Sequence, residues 1–561
     1  MKAIMKTMKY FLSMAALALV GAMTVSCSSD DNIIDQAQQP ATNAGNVEIL
    51  TTTVSLGGDG ATRALTSTGV KTFAEGETMA IYYWKNKGND HVKAVSAPLT
   101  AGNITNGGKS ATFTFTLDNP YKNMSVSYVY PAAMANADFT PNYDALYNNQ
   151  DGTLATLASN FDFCTRSGAW SGDNLPSVTL VNQLAILAIN LKNSTGASDI
   201  TGDITGMTIS DDTNTYAVSR SAAAGPIYVA IRPTSDATIT VTATDGTKNY
   251  TKTLTSKTYE AGNGYPVSWK MAKLTDLSSI SGTEYTVQDG EVLTGTLASN
   301  VKISIADGAT VTLKDVNITN LGNNCNWAGI NCPDDATLVL EGTNTVCAGR
   351  DGSGYNNYPG IYIAPDKTLT IQGDGTLTAY SVASYPYGAG IGGGYDNACG
   401  NIVINGGTIT AMGGQNSAGI GGGSNASCGN ITINGGTVTA TGGESGAGIG
   451  GGYASCGNIT INGGTVTATG GANAAGIGGG ENVSCGNITI SGGTVEATGG
   501  ELAAGIGGGC NNPVCGTITI TSGVTSVTAT KGPGASNSIG AGNGGTAITV
   551  NIEAGANVTQ N

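Results

Sequence analysis

The sequence predicts an all-β chain in which antiparallel sandwiches precede a parallel β-helix. Three observations carry that prediction. Between Gly388 and Thr521 the phrase Ala-Gly-Ile-Gly-Gly-Gly recurs five times, with isoleucines at Ile391, Ile420, Ile449, Ile477 and Ile506. A Cys-Gly-Asn-Ile-Thr-Ile type phrase follows each one, with Cys399, Cys428, Cys456, Cys485 and Cys515 in the leading place. The unit is about 29 residues long, and a fixed period of that length marks a stacked repeat fold. Outside the repeats, short runs alternate apolar with polar residues, and no helical period appears in the repeated stretch.

Within one unit, alternation puts Ile431, Ile433, Val438 and Ala440 on one face and Thr432, Thr437, Thr439 and Thr441 on the other. Each unit therefore reads as one coil, with Ile, Val and Ala stacked inside and threonines outside. Glycine pairs such as Gly435-Gly436 and Gly442-Gly443 turn the corners, where a positive φ is cheap only without a Cβ. Asn401, Asn430, Asn458 and Asn487 hold one turn position in successive coils, so their amides are expected to form a ladder. Ile433 is expected between Ile404 and Ile461 of the adjacent coils. Such a stack has no closed core and needs caps at its ends.

The chain has 561 residues, 85 of them glycine, and a net charge of −15. Its single histidine, His91, rules out mechanisms that need a paired His base and His ligand. No basic patch exists to neutralise phosphates, which argues against nucleic acid as a partner.

Residues 1–26 read as a signal peptide: Lys2, Lys6 and Lys9 form the charged end, and Phe11 to Val25 an apolar stretch too short for a stable membrane span. Thr24-Val25-Ser26-Cys27 resembles a bacterial lipobox, which makes Cys27 the lipidated residue. Ser28-Ser29-Asp30-Asp31 resembles the export signal of some Gram-negative surface lipoproteins, and residues 27–45 read as a polar tether.

Residues 46–170 and 171–273 are expected to form two sandwiches. Strands are predicted at Thr78–Trp84, Ala111–Leu117, Ser125–Tyr130, Ile227–Ile231, Thr238–Ala243 and Gly264–Lys270, with one long buried strand over Leu180–Leu191. The order of motifs here resembles a family. Thr62-Arg63-Ala64, Phe73-Ala74-Glu75-Gly76-Glu77, Ser127-Tyr128-Val129-Tyr130-Pro131, Gln183-Leu184-Ala185 and the closing Tyr259 to Tyr265 are similar to fimbrillin-like surface lipoproteins of anaerobic Gram-negative bacteria. The resemblance covers about residues 45–273. It implies transthyretin-like sandwiches, an outer-membrane lipid anchor, and a role as pilus subunit, pilus tip or adhesin. It also implies proteolytic maturation at Arg63, which would remove the strand Thr51–Leu56 and open a groove for a neighbouring pilus subunit.

Residues 274–561 are read as the β-helix, entered through a polar connector over Thr275–Gly282. Gly329-Ile330 and Gly360-Ile361 stand where later units have Gly-Ile-Gly, so the early coils are irregular versions of the later ones. The phrasing resembles right-handed β-helix domains described as carbohydrate-binding in bacterial surface proteins.

A β-helix also invites a polysaccharide lyase or hydrolase, the first needing a strong base and the second two positioned carboxylates. There is no Lys or Arg between Lys367 and Lys531, and Asp396, Glu444, Glu481, Glu496 and Glu501 do not recur at one coil position. Arg350 with Asp334, Asp335, Asp351 and Asp366 is the one mixed cluster, and it reads as solvated loop charge. No catalytic, metal or cofactor residues are therefore assigned. The column of five cysteines is expected to be buried and reduced, while Cys325 and Cys332, flanking Trp327, make a better local disulfide pair.

Aromatics supply the ligand signal. Trp327, Tyr355, Tyr358, Tyr385, Tyr387, Tyr395 and Tyr453 are the candidate carbohydrate-binding residues, since exposed rings stack on sugar C–H faces. The expectation is a non-enzymatic, outer-membrane lipoprotein whose partner is a glycan or a host or bacterial surface. A polysaccharide-degrading enzyme and a structural envelope spacer are the alternatives.

Overall fold

The computed structural model describes residues 46–561 apart from 57–71, 158–159, 161–162, 299, 320, 323, 350–356, 382–386 and 512–514. Cys27, Arg63, Arg350, Asp351, Tyr355 and Tyr385 lie outside the described residues.

From Val47 onward the chain is nearly all β. An eight-stranded sheet comes first, with Val47–Leu56 inside it: that strand pairs antiparallel with Ser110–Asp118 and parallel with Val178–Asn182. Its inward residues Val54, Ile81, Phe113, Phe115, Tyr128 and Trp170 share one core, so the sheet bends over a single apolar centre. The next layer pair sets Ala185–Lys192, Ile227–Ile231 and Gly264–Lys270 against a sheet that contains Gly206–Ser210, Thr215–Ser219, Thr234–Thr244 and Asn249–Tyr259. Leu187, Val229 and Trp269 from one face meet Ile209, Tyr216 and Val241 from the other.

The apolar run Leu180–Leu191 is two strands rather than one. Asn182 Oδ1 accepts from Leu184 N at 2.8 Å, and Gln183 N donates to Phe163 O at 2.8 Å. That local turn satisfies the backbone at the break. The chain thereby passes from the eight-stranded sheet, where Val178–Asn182 belongs, to the three-stranded one.

The predicted connector at Thr275–Gly282 is also more ordered than its polarity implies. Ala272–Asp276 is a strand that pairs antiparallel with Asn249–Tyr259 and parallel with Val292–Thr296. One hydrogen-bonded sheet therefore runs from the sandwich straight into the solenoid. Leu277 and Ile280 turn inward and join the solenoid core, which gives the stack its cap. At this junction the buried Glu291 receives hydrogen bonds from Lys273 Nζ at 2.8 Å and Tyr285 Oη at 2.9 Å.

The solenoid follows the repeat. Ile330, Ile361, Ile391, Ile420, Ile449, Ile477, Ile506 and Ile539 stack in register along one sheet. Rows typified by Ile431–Ile433 and Thr437–Thr441 complete each coil. Ile433 pairs with Ile404 on one side and Ile461 on the other, as its spacing requires. The inward Ile, Val and Ala residues are buried, and the alternating threonines lie on the outer face. Gly421 shows why the phrase is glycine-rich: its φ is 131°, and a Cβ there would sit 2.1 Å from Gly450 O.

Two asparagine rows stitch the coils. In the expected row, the Asn401, Asn430 and Asn458 side-chain carbonyls accept from the next coil's backbone N–H at 2.8 to 2.9 Å, and Asn487 does the same for Thr517. The amide-to-amide ladder lies instead in a second row. Asn434 Nδ2 donates to Asn405 Oδ1 and Asn462 Nδ2 to Asn434 Oδ1, each at 2.8 Å.

Candidate functional site

The site is built from two columns of residues that the coil geometry sets beside each other. Counting from each coil's isoleucine, the residue four places before it gives the column Asn357, Tyr387, Asn416, Ser445, Asn473 and Leu502. The residue four places after it gives Tyr395, Ser424, Tyr453, Glu481, Cys510 and Asn543. A backbone stitch joins them at every step. Tyr395 N donates to Asn357 O at 2.7 Å, Ser424 N to Tyr387 O at 3.1 Å, Tyr453 N to Asn416 O at 2.9 Å and Glu481 N to Ser445 O at 3.0 Å. The columns are thus fixed by main chain, and successive side chains in a column lie one strand spacing apart, about 4.8 Å.

Where the columns carry tyrosine they enclose a cleft of about 450 Å³, lined by Asn357, Tyr387, Tyr395, Asn416, Ser424, Asn425 and Tyr453. Tyr395 and Tyr453 are both 39% exposed and stand two coils apart, with the small, buried Ser424 between them. The Tyr387 and Tyr395 rings meet edge to face, with centroids 5.7 Å apart. Asn425 sits at φ 58°, a left-handed position that asparagine tolerates, and its side chain is exposed. Exposed ring faces beside amide and hydroxyl groups form a surface that can stack on a sugar and bind its hydroxyls.

Three of the sequence-predicted residues, Tyr387, Tyr395 and Tyr453, therefore come together. Tyr358 is half-buried beside Asn357 and does not line the cleft. Trp327 packs against the solenoid core, and its indole Nε1–H is buried with no acceptor among the described residues. Asn357, Asn416, Ser424 and Asn425 were not singled out from the sequence. Their signal is the fixed offset from the coil isoleucines, which becomes legible once the coils are aligned.

The mixed charge cluster resolves into structural contacts among its described members. Asp334 Oδ1 pairs with Lys367 Nζ at 2.7 Å, and Asp335 Oδ1 accepts from Thr368 N at 2.7 Å. Asp366 occupies a turn at φ 62°. A second cleft of about 380 Å³ contains Glu284, Lys302, Ser304, Asp307, Asp334 and Tyr362. Hydrogen bonds from Ser304 and then Lys302 hold the Glu284 carboxyl below its usual range. A general acid needs the opposite shift. Among the described residues, no group of three His, Cys, Asp or Glu side chains converges as a metal site would require.

The cysteine column is buried as expected, but its chemistry differs. Cys485 and Cys515 form a disulfide, while Cys399 Sγ lies 2.7 Å from Cys428 Sγ as a thiol pair. The expected pair Cys325–Cys332 is not formed, and both are free thiols. Cys332 is committed to the core by its strand, where it pairs in register with Ile363.

Fold and site together define a parallel β-solenoid with an aromatic cleft at one corner, carried on β-sandwiches. Residues 369–395, 402–424, 431–453, 459–481 and 488–510 match the family model described as a β-helix repeat. These matched segments end on Tyr395, Ser424, Tyr453, Glu481 and Cys510, the column whose first three members line the cleft. No curated protein matches the chain. Among solved structures, a candidate cell adhesion protein from Bacteroides fragilis is 13% identical, over 39% of this chain and 88% of its own, with a TM-score of 0.24. A fimbrial assembly protein from Parabacteroides distasonis is 12% identical over 40% and 90%, also at 0.24. A candidate cell adhesion protein from Bacteroides uniformis is 15% identical over 40% and 96%, at 0.23.

Proposed function

We propose that this protein is a non-enzymatic surface adhesin that binds glycans through the Tyr387–Tyr395–Tyr453 cleft of its solenoid. The carrying observation is that cleft: three tyrosines and four small polar side chains brought to one corner by rigid backbone stitches. The N-terminal sequence supports a lipid anchor at Cys27 on the outer membrane, with the sandwiches as the stalk. Maturation at Arg63 fits the position of Val47–Leu56, an interior strand whose removal would leave a groove between Ser110–Asp118 and Val178–Asn182 for a pilus partner.

Binding without cleavage is the reading that the engaged carboxylates favour. Asp334 and Asp335 are occupied by Lys367 and Thr368, and no Lys, Arg or His stands between residues 368 and 530 to serve as a lyase base. A glycan array probed with the whole chain, paired with a reducing-end assay on each bound polysaccharide, tests this. The expected result is retention of a defined set of glycans with no release of reducing ends. Release of ends or of unsaturated products would replace the adhesin reading with the enzyme.

A further inference from the structure

We infer that the ligand of this cleft is an uncharged polysaccharide lying along the solenoid axis, with Glu481 as a further binding residue one coil beyond Tyr453. The inference rests on the glycan-binding reading and specifies its ligand class and direction.

Direction follows from the columns. Tyr395, Ser424, Tyr453 and Glu481 occupy the same offset in four successive coils. Their spacing of about 4.8 Å per coil is close to the rise of one pyranose unit in an extended chain. A polymer running along the axis would therefore meet an equivalent corner at each sugar. A chain running around a coil would leave these residues after one contact.

Glu481 lies on the same track and is held in place. Its Oε2 accepts from Ser445 Oγ at 2.7 Å and from Asn473 Nδ2 at 3.0 Å, and its Oε1 accepts from Asn511 Nδ2 at 3.2 Å. Ser445 and Asn473 belong to the column that also supplies Asn357, Tyr387 and Asn416 to the cleft. An ionised carboxylate accepts and cannot donate, and it has about four acceptor positions. Positioned this way, Glu481 suits a sugar hydroxyl or amide N–H as partner.

Charge selects the class. In or next to the two columns the chain carries Asp396 after Tyr395, Glu444 before Ser445, Glu481, and Glu501 before Leu502, and from residue 368 to 530 it has no Lys, Arg or His. A uronate or sulfated chain laid on this surface would meet like charge with no cation to pair it. Neutral chains meet no such repulsion.

The test is affinity of the whole chain, measured by titration in chelator-containing buffer, for β-glucan and mannan against polygalacturonate and chondroitin sulfate, with gluco- and manno-oligosaccharides of two to six units alongside. A neutral polymer should bind at least about tenfold more tightly than either anionic one, and the gap should narrow as salt screens the surface. Affinity should rise with oligosaccharide length to about four units, one per corner position, and then level off. Tyr453→Ala should abolish binding, and Glu481→Gln should weaken it by about fivefold, the worth of one hydrogen bond. Tighter binding of an anionic polymer, still lost in Tyr453→Ala, would overturn the inference and leave the glycan reading standing. Equal affinity for two and six units would overturn the axial track, and an unchanged Glu481→Gln would remove that residue from the site. Binding to none of the polymers would overturn the glycan reading and this inference with it.

Discussion

Ile433 stacks in register on Ile461 one coil further along, and both side chains are fully buried on the solenoid axis. Its neighbour Thr432 lies on the outer face of the same strand. Ile433→Asp would bury a charge with no partner, at a cost of at least about 3 kcal/mol. Thr432→Asp should stay within about 0.5 kcal/mol, as surface changes do. Thermal melts of the two variants check this, and equal shifts would mean that the faces are assigned wrongly.

That inside–outside pattern was legible because a period of two within a repeat of about 29 residues leaves little freedom. Gly-Ile-Gly at a fixed interval sets the register of the stack. The break at Asn182–Leu184 was not legible, since an apolar run does not reveal which of its residues turns the backbone with its own side chain. Nor could sequence choose between the two asparagine rows. Both sit at coil bends, and only the bend geometry decides that Asn430 faces a backbone N–H while Asn434 faces another amide. For the cleft, the tyrosines announced themselves by type. The polar residues between them did not, because serine and asparagine are common at bends.

The asparagine ladder gives a second prediction. Asn434 both donates to Asn405 and accepts from Asn462. Replacing it with alanine removes two solvent-exposed hydrogen bonds, worth together about 1–2 kcal/mol. Asn434→Ala should lower the melting temperature modestly and leave glycan binding unchanged. A loss of binding with no change in melting would place the ligand on this row instead of the tyrosine corner.

Burial of the cysteine column makes stability depend on alkaline pH. Desolvation first, then the neighbouring Cys428, pushes the Cys456 thiol up to about 12 from an ordinary 9.0. The unfolded chain ionises this thiol first as pH rises, so its contribution is fully present below pH 9 and is lost between 9 and 12. The melting temperature should fall across that window, and Cys456→Ala should fall less steeply than the parent. Identical slopes would show that Cys456 does not carry the effect.

The N-terminal readings predict two processing products. Cys27→Ala should leave the protein unlipidated and absent from the membrane fraction, checked by labelling with a palmitate analogue. Maturation at Arg63 predicts surface protein beginning at Ala64 and retention of the longer form in Arg63→Ala. Surface protein that always begins at Cys27 would favour a stand-alone adhesin over a pilus component.

Hydroxyl-radical footprinting of the whole chain reads whether ligand sits against the tyrosine corner. Labelling of Tyr387, Tyr395 and Tyr453 would be measured with and without the polysaccharide that binds best, using Tyr121 as the control, 37% exposed on the N-terminal sheet assembly. All three cleft tyrosines should be protected and Tyr121 should not. Unchanged labelling of Tyr395 and Tyr453 with the polysaccharide bound would contradict that placement.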